Sequence, residues 1–375
     1  MILTETQAAI RDAVRDYAQE QLRPRSAAFE AAGGYPEGLF EELAGLGLLG
    51  MTAPAEFGGV DGDYVSYALA LIEIAAADGA LSTIVSVQNS LVIAGLLREG
   101  TDAQKARFLP DLIAGKIIGA FALTESEAGS DASAIRSRAT QVEGGWRLNG
   151  SKQFITSGRT AGLTLVFAVS DPEAAKRGIS AFLVPTDRPG YRVDKVEHKL
   201  GQHASDTCAL GFEDLFLEDD LMLGAPGQGY RIALSNLEVG RIGVAAQAIG
   251  MAQAALDVAI AYAKDRKSMG KVIIEHQAVG FRLADLASRL EAARQLVLHA
   301  ASLRDAGLPC LKEASMAKLV ASETAETVIS GAIQTLGGYG YLEEFGLAKI
   351  YRDVRVCQIY EGTSDIQRMV IARAL

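Results

Sequence analysis

The chain has 375 residues, 49% of them hydrophobic and 22% charged, with a net charge of −10 and a pI near 5.1. That length supports a large core and two or three domains. The acidic balance argues against nucleic acid, which needs a basic face, although a local Arg cluster can still meet an anionic ligand.

Met1 to Gln21 carries Glu5, Asp12 and Asp16 and reads as an amphipathic helix, not a leader. Tyr64 to Asp78 and Leu81 to Arg98 follow as helices, the second apolar nearly all round and so expected to be buried. No apolar run looks long enough to cross a membrane. Arg136–Val142, Trp146–Leu148, Leu163–Ser170, Ile179–Pro185 and Cys208–Leu217 are short β-rich runs between Gly, Asp and Pro turns. No long helices separate them, so the expectation is an antiparallel β domain. The helical period returns at Arg231–Arg266, His276–Asp305, Leu311–Leu336, Leu347–Val356 and from Thr363 onward, which predicts a four-helix bundle. The expected fold is α+β and multi-domain: an N-terminal α-helical domain over 1–116, a middle β domain over 117–225 and a C-terminal α-helical bundle over 226–375.

Cys208, Cys310 and Cys357 form no CxxC, and His198, His203, His276 and His299 lack ligand spacing. Neither a disulfide framework nor a metal site is expected. The compartment implied is reducing, and a soluble, bacterial-type cytoplasmic protein is the expectation.

Five segments carry chemistry. Phe121-Ala-Leu-Thr-Glu-Ser-Glu-Ala-Gly-Ser-Asp131 runs from a strand into a loop of small residues and hydroxyls. Such a loop can wrap a phosphate or a flat heterocycle, or simply turn. There is no GxGxxG after a strand, so a nucleotide here would not lie in a Rossmann crevice. Asn149-Gly150 marks a hairpin, after which Phe154 and Thr156 share one strand face. They suit one side of a flavin ring, or the core. Arg266-Lys-Ser-Met-Gly-Lys271, with Gln277 beyond, places cations at a helix end, where they suit the dipole or a pyrophosphate. Gln334-Thr-Leu-Gly-Gly-Tyr-Gly-Tyr341 is denser in glycine than a helix C-cap needs. Last, Gln358-Ile-Tyr-Glu-Gly-Thr-Ser-Asp-Ile-Gln367 sets one carboxylate, Glu361, after two large apolar residues and before a helix start. An apolar setting raises a carboxyl pKa and makes a usable base, although a Glu beside an N-cap is often only a helix-start residue.

In this order and over the whole length, these segments resemble the acyl-CoA dehydrogenase family. Ala122 to Ala134 is similar to its first signature, Gln334 to Asp353 to its second, and Ile359-Tyr-Glu-Gly-Thr363 to its catalytic-base segment. The resemblance implies FAD between the β and C-terminal domains of a homotetramer, a dimer of dimers. It implies flavin contacts from Phe121, Leu123, Thr124, Gly129, Ser130, Phe154, Ile155 and Thr156. Arg266, Ser268, Gln277, Gln334, Gly337 and Gly338 would reach FAD across the dimer, and Thr363 and Asp365 would close the site. Ser130, Tyr230, Glu238, Arg241 and Gly362 would hold the acyl-CoA. Glu361 would take the α-proton while the flavin takes the β-hydride, and electrons would pass to an electron-transferring flavoprotein. Some members carry the base on the long C-terminal-domain helix instead, where this chain has Gly240, which leaves Glu361 as base. Many members have Trp in place of Phe154 and Phe in place of Met269. Ser86–Ser90, Lys199–Gly201, Gly240–Gly243 and Lys312–Lys318 look most like the short-chain and short-branched-chain members. The alternatives are a flavin oxidase or monooxygenase of the same fold, or a non-catalytic acyl-CoA-binding protein.

Overall fold

The computed structural model describes residues 1–375. Side-chain caps set the starts of the N-terminal helices. Helix α1 (Glu5–Tyr17) opens on a capping box between Thr4 and Gln7. Helix α2 (Tyr64–Ala77) opens on Asp63, whose carboxylate accepts from Ser66 N at 2.6 Å. Asp78 ends it and in turn caps α3 (Gly79–Glu99), accepting from Leu81 N at 2.8 Å. Thr101 and Gln104 box the start of α4 (Asp102–Ile113). Each cap satisfies N–H groups that the helix itself leaves free.

The strands are β1 (Gly119–Ala122), β2 (Arg138–Val142), β3 (Gly145–Thr156), β4 (Leu163–Val169), β5 (Ile179–Pro185), β6 (Tyr191–Val196), β7 (Thr207–Glu218) and β8 (Met222–Leu223). They form one sheet in the order β6-β7-β3-β2-β4-β5-β8, with β1 beside β4. Pairing is antiparallel except where β4 meets β1 and the end of β2. The sheet is therefore mixed, because β1 arrives from the helical region and not by a hairpin. β6 alternates only over Tyr191–Asp194 before a register shift between Val193 and Lys195 breaks the pattern, and its residues are mostly exposed, so no apolar run marks it in the sequence.

Helices α5 (Gly229–Asp265), α6 (Gln277–Asp305), α7 (Leu311–Leu336), α8 (Leu347–Val354) and α9 (Ser364–Arg373) complete the chain. α5 packs against α7, α6 and the N-terminal α2. Two helices, Gly79–Glu99 and Gly229–Asp265, are long and apolar enough to span a membrane, which corrects the sequence expectation. Both are mostly buried in the protein, so their apolar length serves the core. One core joins α1, α2 and the first half of α3 to the bundle. A second joins the sheet to the rest of α3, to α4 and to the first turn of α5. α3 and α5 contribute to both, and the main cavity opens along that seam.

Candidate active site

Five elements line one cavity. α3 supplies Thr83, Ser86, Val87 and Leu91; β1 and its loop supply Phe121, Leu123, Thr124, Gly129, Ser130 and Ala132. The end of β3 gives Phe154, Ile155 and Thr156, α5 gives Leu234, Leu237, Arg241 and Gln247, and the tail gives Tyr360, Glu361, Gly362 and Ile366.

The loop after β1 is pinned from beneath. Lys152 Nζ donates to Glu125 Oε1 at 2.7 Å and to the Leu123 carbonyl at 3.0 Å. Glu125 also accepts from Arg136 N and Ser137 N. Burial works against its ionised form, but Lys152 and these N–H donors outweigh it and hold the carboxyl below its usual range. Burial pushes the Lys152 ammonium down to about 8 despite Glu125.

The β3 register breaks between Lys152 and Ile155, and Phe154 takes φ +60° there. The break re-aims the strand end. Phe154 is 63% exposed and not in the core, whereas Ile155, next to it, is buried in the core; both border the cavity with Thr156.

The tail adopts two successive left-handed residues, Glu361 at φ +53° and Gly362 at φ +92°. Glu361 Oε2 is inaccessible to solvent and has no hydrogen-bond partner. It rests against Gly240, where a Cβ would overlap it. Burial pushes the Glu361 carboxyl up to about 7, against the opposing charges of Lys318 and Arg241. Its backbone N–H donates to no protein acceptor. Arg241 donates to Ser315 Oγ at 3.2 Å, while its Nε has no partner. Tyr360 OH donates to Gln247 Oε1 at 2.5 Å.

Arg266, Gly337 and Gly338 line a separate hollow with Tyr262, Ile273, Thr335, Leu336, Tyr339 and Leu342. The Arg266 guanidinium lies 5.8 Å from the Tyr339 ring centre. Ser268, Gln277 and Gln334 line neither hollow. Thr363 caps α9 through Ile366 N, and Asp365 meets Arg368 at 3.4 Å; neither lines the cavity. Tyr230 lies one turn before Leu234, outside the cavity, with Lys176 5.2 Å from its ring centre. Glu238 faces Cys310 Sγ at 3.3 Å and Arg304. Leu234, Leu237 and Arg241 line the cavity, whereas Glu238, on the same side of α5, does not.

From sequence, Thr83, Leu91, Leu234, Leu237, Gln247 and Lys152 carry no site role, and Ser86, Val87, Lys318 and Tyr360 appear only inside segments that resemble the family's. For the residues of α3 a signal existed, since Thr83, Ser86, Gln88 and Asn89 interrupt an otherwise apolar helix.

Three family descriptions match the chain in sequence: "Acyl-CoA dehydrogenase, N-terminal domain" over 4–116, "middle domain" over 120–215 and "C-terminal domain" over 227–375. The chain belongs to the acyl-CoA dehydrogenase family. It is 44% identical over 370 residues to the mitochondrial short-chain specific acyl-CoA dehydrogenase of Mus musculus, covering 99% of this chain and 90% of that one. Butyryl-CoA dehydrogenase from Megasphaera elsdenii superimposes with a TM-score of 0.97 at 40% identity, covering 100% of this chain and 99% of that one. A chain from a structure described as the electron transferring flavoprotein of Acidaminococcus fermentans superimposes with a TM-score of 0.98 at 40% identity, covering 100% and 98%.

Proposed function

We propose that this enzyme catalyses FAD-dependent α,β-dehydrogenation of a short or short-branched acyl-CoA to the trans-2-enoyl-CoA, with Glu361 as the base. The observation that carries the reading is the Glu361 carboxylate itself. It faces a cavity shared by α3, β1, β3 and α5, with one oxygen unpartnered. A base held near 7 can both take and release a proton at neutral pH.

A thioester α-hydrogen is too weakly acidic for an unaided carboxylate. The free N–H of Glu361 is available to the thioester carbonyl, where charge develops as the proton leaves. The residues present fit FAD. Phe154 offers an open aromatic face, Thr124, Ser130 and Thr156 set hydroxyls beside it, and a Cβ at Gly129, Gly337 or Gly338 would meet nothing within 4 Å. Phe121, Leu123 and Ile155 complete that wall, and Arg266, Ser268, Gln277, Gln334, Thr363 and Asp365 would serve a cofactor shared across a dimer. Bound FAD supplies the two-electron acceptor for the hydrogen leaving the β-carbon. Ser130, Arg241 and Gly362 line the cavity for the acyl-CoA, and Tyr230 stands beyond it on the same helix face. Glu238 stands beside this wall, with Cys310 and Arg304 as its partners.

The short-acyl preference draws support from the relatives, the mitochondrial short-chain specific enzyme of Mus musculus at 44% identity and the butyryl-CoA dehydrogenase of Megasphaera elsdenii at 40%. Electron delivery to an electron-transferring flavoprotein, a homotetrameric assembly and the three-domain division at 1–116, 117–225 and 226–375 belong to the same reading. So does a cytoplasmic setting, which three free, buried cysteines support. No feature of the site favours an oxidase, a monooxygenase or a non-catalytic binder.

The test is anaerobic bleaching of the oxidised flavin band by a panel of acyl-CoAs, beside Glu361→Gln. Rapid bleaching by butyryl-CoA or its branched relatives is expected, falling by at least about 10³-fold in the variant. Bound flavin that no thioester bleaches would sink the reading.

A further inference from the structure

The Glu361–Gly362 turn needs something to hold it. Glu361 is not glycine, and a left-handed backbone there persists only where the surroundings over-determine it. Two buried side chains grip the turn by its carbonyls. Gln367 Nε2 donates to the Gly362 carbonyl at 2.8 Å and to the Glu361 carbonyl at 3.2 Å. Lys318 Nζ, reaching from α7, donates to the Gly362 carbonyl at 2.7 Å.

The two grips differ in kind. Gln367 is neutral and suffices as a structural clamp. Lys318 is fully buried, yet this carbonyl is its only partner, and it forms no ion pair. Burying an ammonium for one carbonyl is unfavourable, and a long apolar side chain would fill the same space at less cost. The charge therefore has another use. The groups that face Glu361 are Tyr67 from α2, Arg241 from α5, Lys318 from α7, and Cys357 and Tyr360 from its own segment. Only Lys318 and Arg241 carry charge there.

We propose that Lys318 is a positioning residue for the base: its ammonium fixes the Gly362 carbonyl so that the Glu361 carboxylate faces the cavity, and its charge favours the ionised form of that carboxylate against the opposing effect of burial. This rests on Glu361 being the base. Burial holds the Lys318 ammonium at about 8, so it is charged at neutral pH. A positive neighbour favours the ionised carboxylate, and its removal pushes the carboxyl up.

The experiment is the pH dependence of anaerobic flavin reduction by butyryl-CoA in FAD-loaded wild type, Lys318→Met and Lys318→Arg, with Glu361→Gln as reference. Lys318→Met is expected to slow reduction about tenfold or more and to move the acid limb up by about one pH unit. Lys318→Arg, which keeps charge and donor, restores the limb. If Lys318→Met loses FAD, the shorter neutral donor in Lys318→Gln is read on the same limb. An unmoved acid limb in the neutral variant overturns the inference, even if the rate falls, because a purely structural lysine would lower the rate alone. A wild type that butyryl-CoA does not bleach defeats the proposed function instead, so the two failures are distinct.

Discussion

Lys152 and Lys318 are both fully buried, and burial holds each ammonium near 8, yet they sit in opposite electrical settings. Lys152 faces the Glu125 carboxylate at 2.7 Å, which also takes two backbone N–H bonds. Lys318 donates only to a carbonyl and forms no ion pair. The first is one half of a closed, satisfied pair that fixes the loop from Thr124 to Ser130 onto β3. The second leaves its charge uncancelled beside a carboxylate that has work to do. A buried lysine is thus no single kind of object: one builds a wall of the cavity, and the other biases the group inside it.

Breaking the Lys152 pair is expected to have the larger effect on folding. Lys152→Met strands Glu125 as a buried, unpaired charge, which costs about 3–5 kcal/mol. Its melting temperature and FAD retention should fall well below those of Lys318→Met, which strands no carboxylate. Adding Glu125→Gln to Lys152→Met should recover part of the loss through their coupling. Equal losses at the two lysines would erase the distinction between them.

Gly240→Ala probes the tail side without touching either lysine. The added methyl occupies the hollow that holds Glu361 Oε2, so the carboxylate must move. Alanine suits a helix interior better than glycine, so stability should hold or rise. Flavin reduction should slow about tenfold, or about 1.4 kcal/mol in barrier. A wild-type rate in this variant would mean that the carboxylate's resting place does not matter.

Much of this was legible in the sequence because it is local. The ranges of α2, α5, α6, α7 and β5 follow from periodicity and punctuation, and the Glu361 segment stands out as a lone carboxylate in an apolar setting. What the sequence hid is what depends on pairs. The parallel arrival of β1, the bulge that turns Phe154 outward, and the meetings of Lys152 with Glu125 and of Lys318 with Gly362 all join residues distant in the chain. Glu238 lies in the expected segment, but its partners Cys310 and Arg304 come from elsewhere in the chain and were equally hidden.

The smallest expected effect concerns stability and is the most direct readout of the tail's electrostatics. The Glu361 carboxyl is raised to about 7 in the folded protein, because burial disfavours its ionised form more than Lys318 and Arg241 favour it. An unfolded glutamate titrates near ~4.3. The folded state therefore holds this proton more tightly, and the stabilisation is whole below about 4.3 and lost as pH rises through 7. Glutamine never ionises. Glu361→Gln should accordingly melt higher than wild type above pH 7, by on the order of 1 kcal/mol because solvent reaches part of the residue, and the gain should fade toward pH 5. Thermal melts of the FAD-loaded, substrate-free proteins from pH 5 to 8.5 would show it; a gain that does not change with pH would place the cause in packing instead. In a Lys318→Met background the gain should widen near neutral pH, because less then offsets the buried charge, whereas in a Lys152→Met background it should not change.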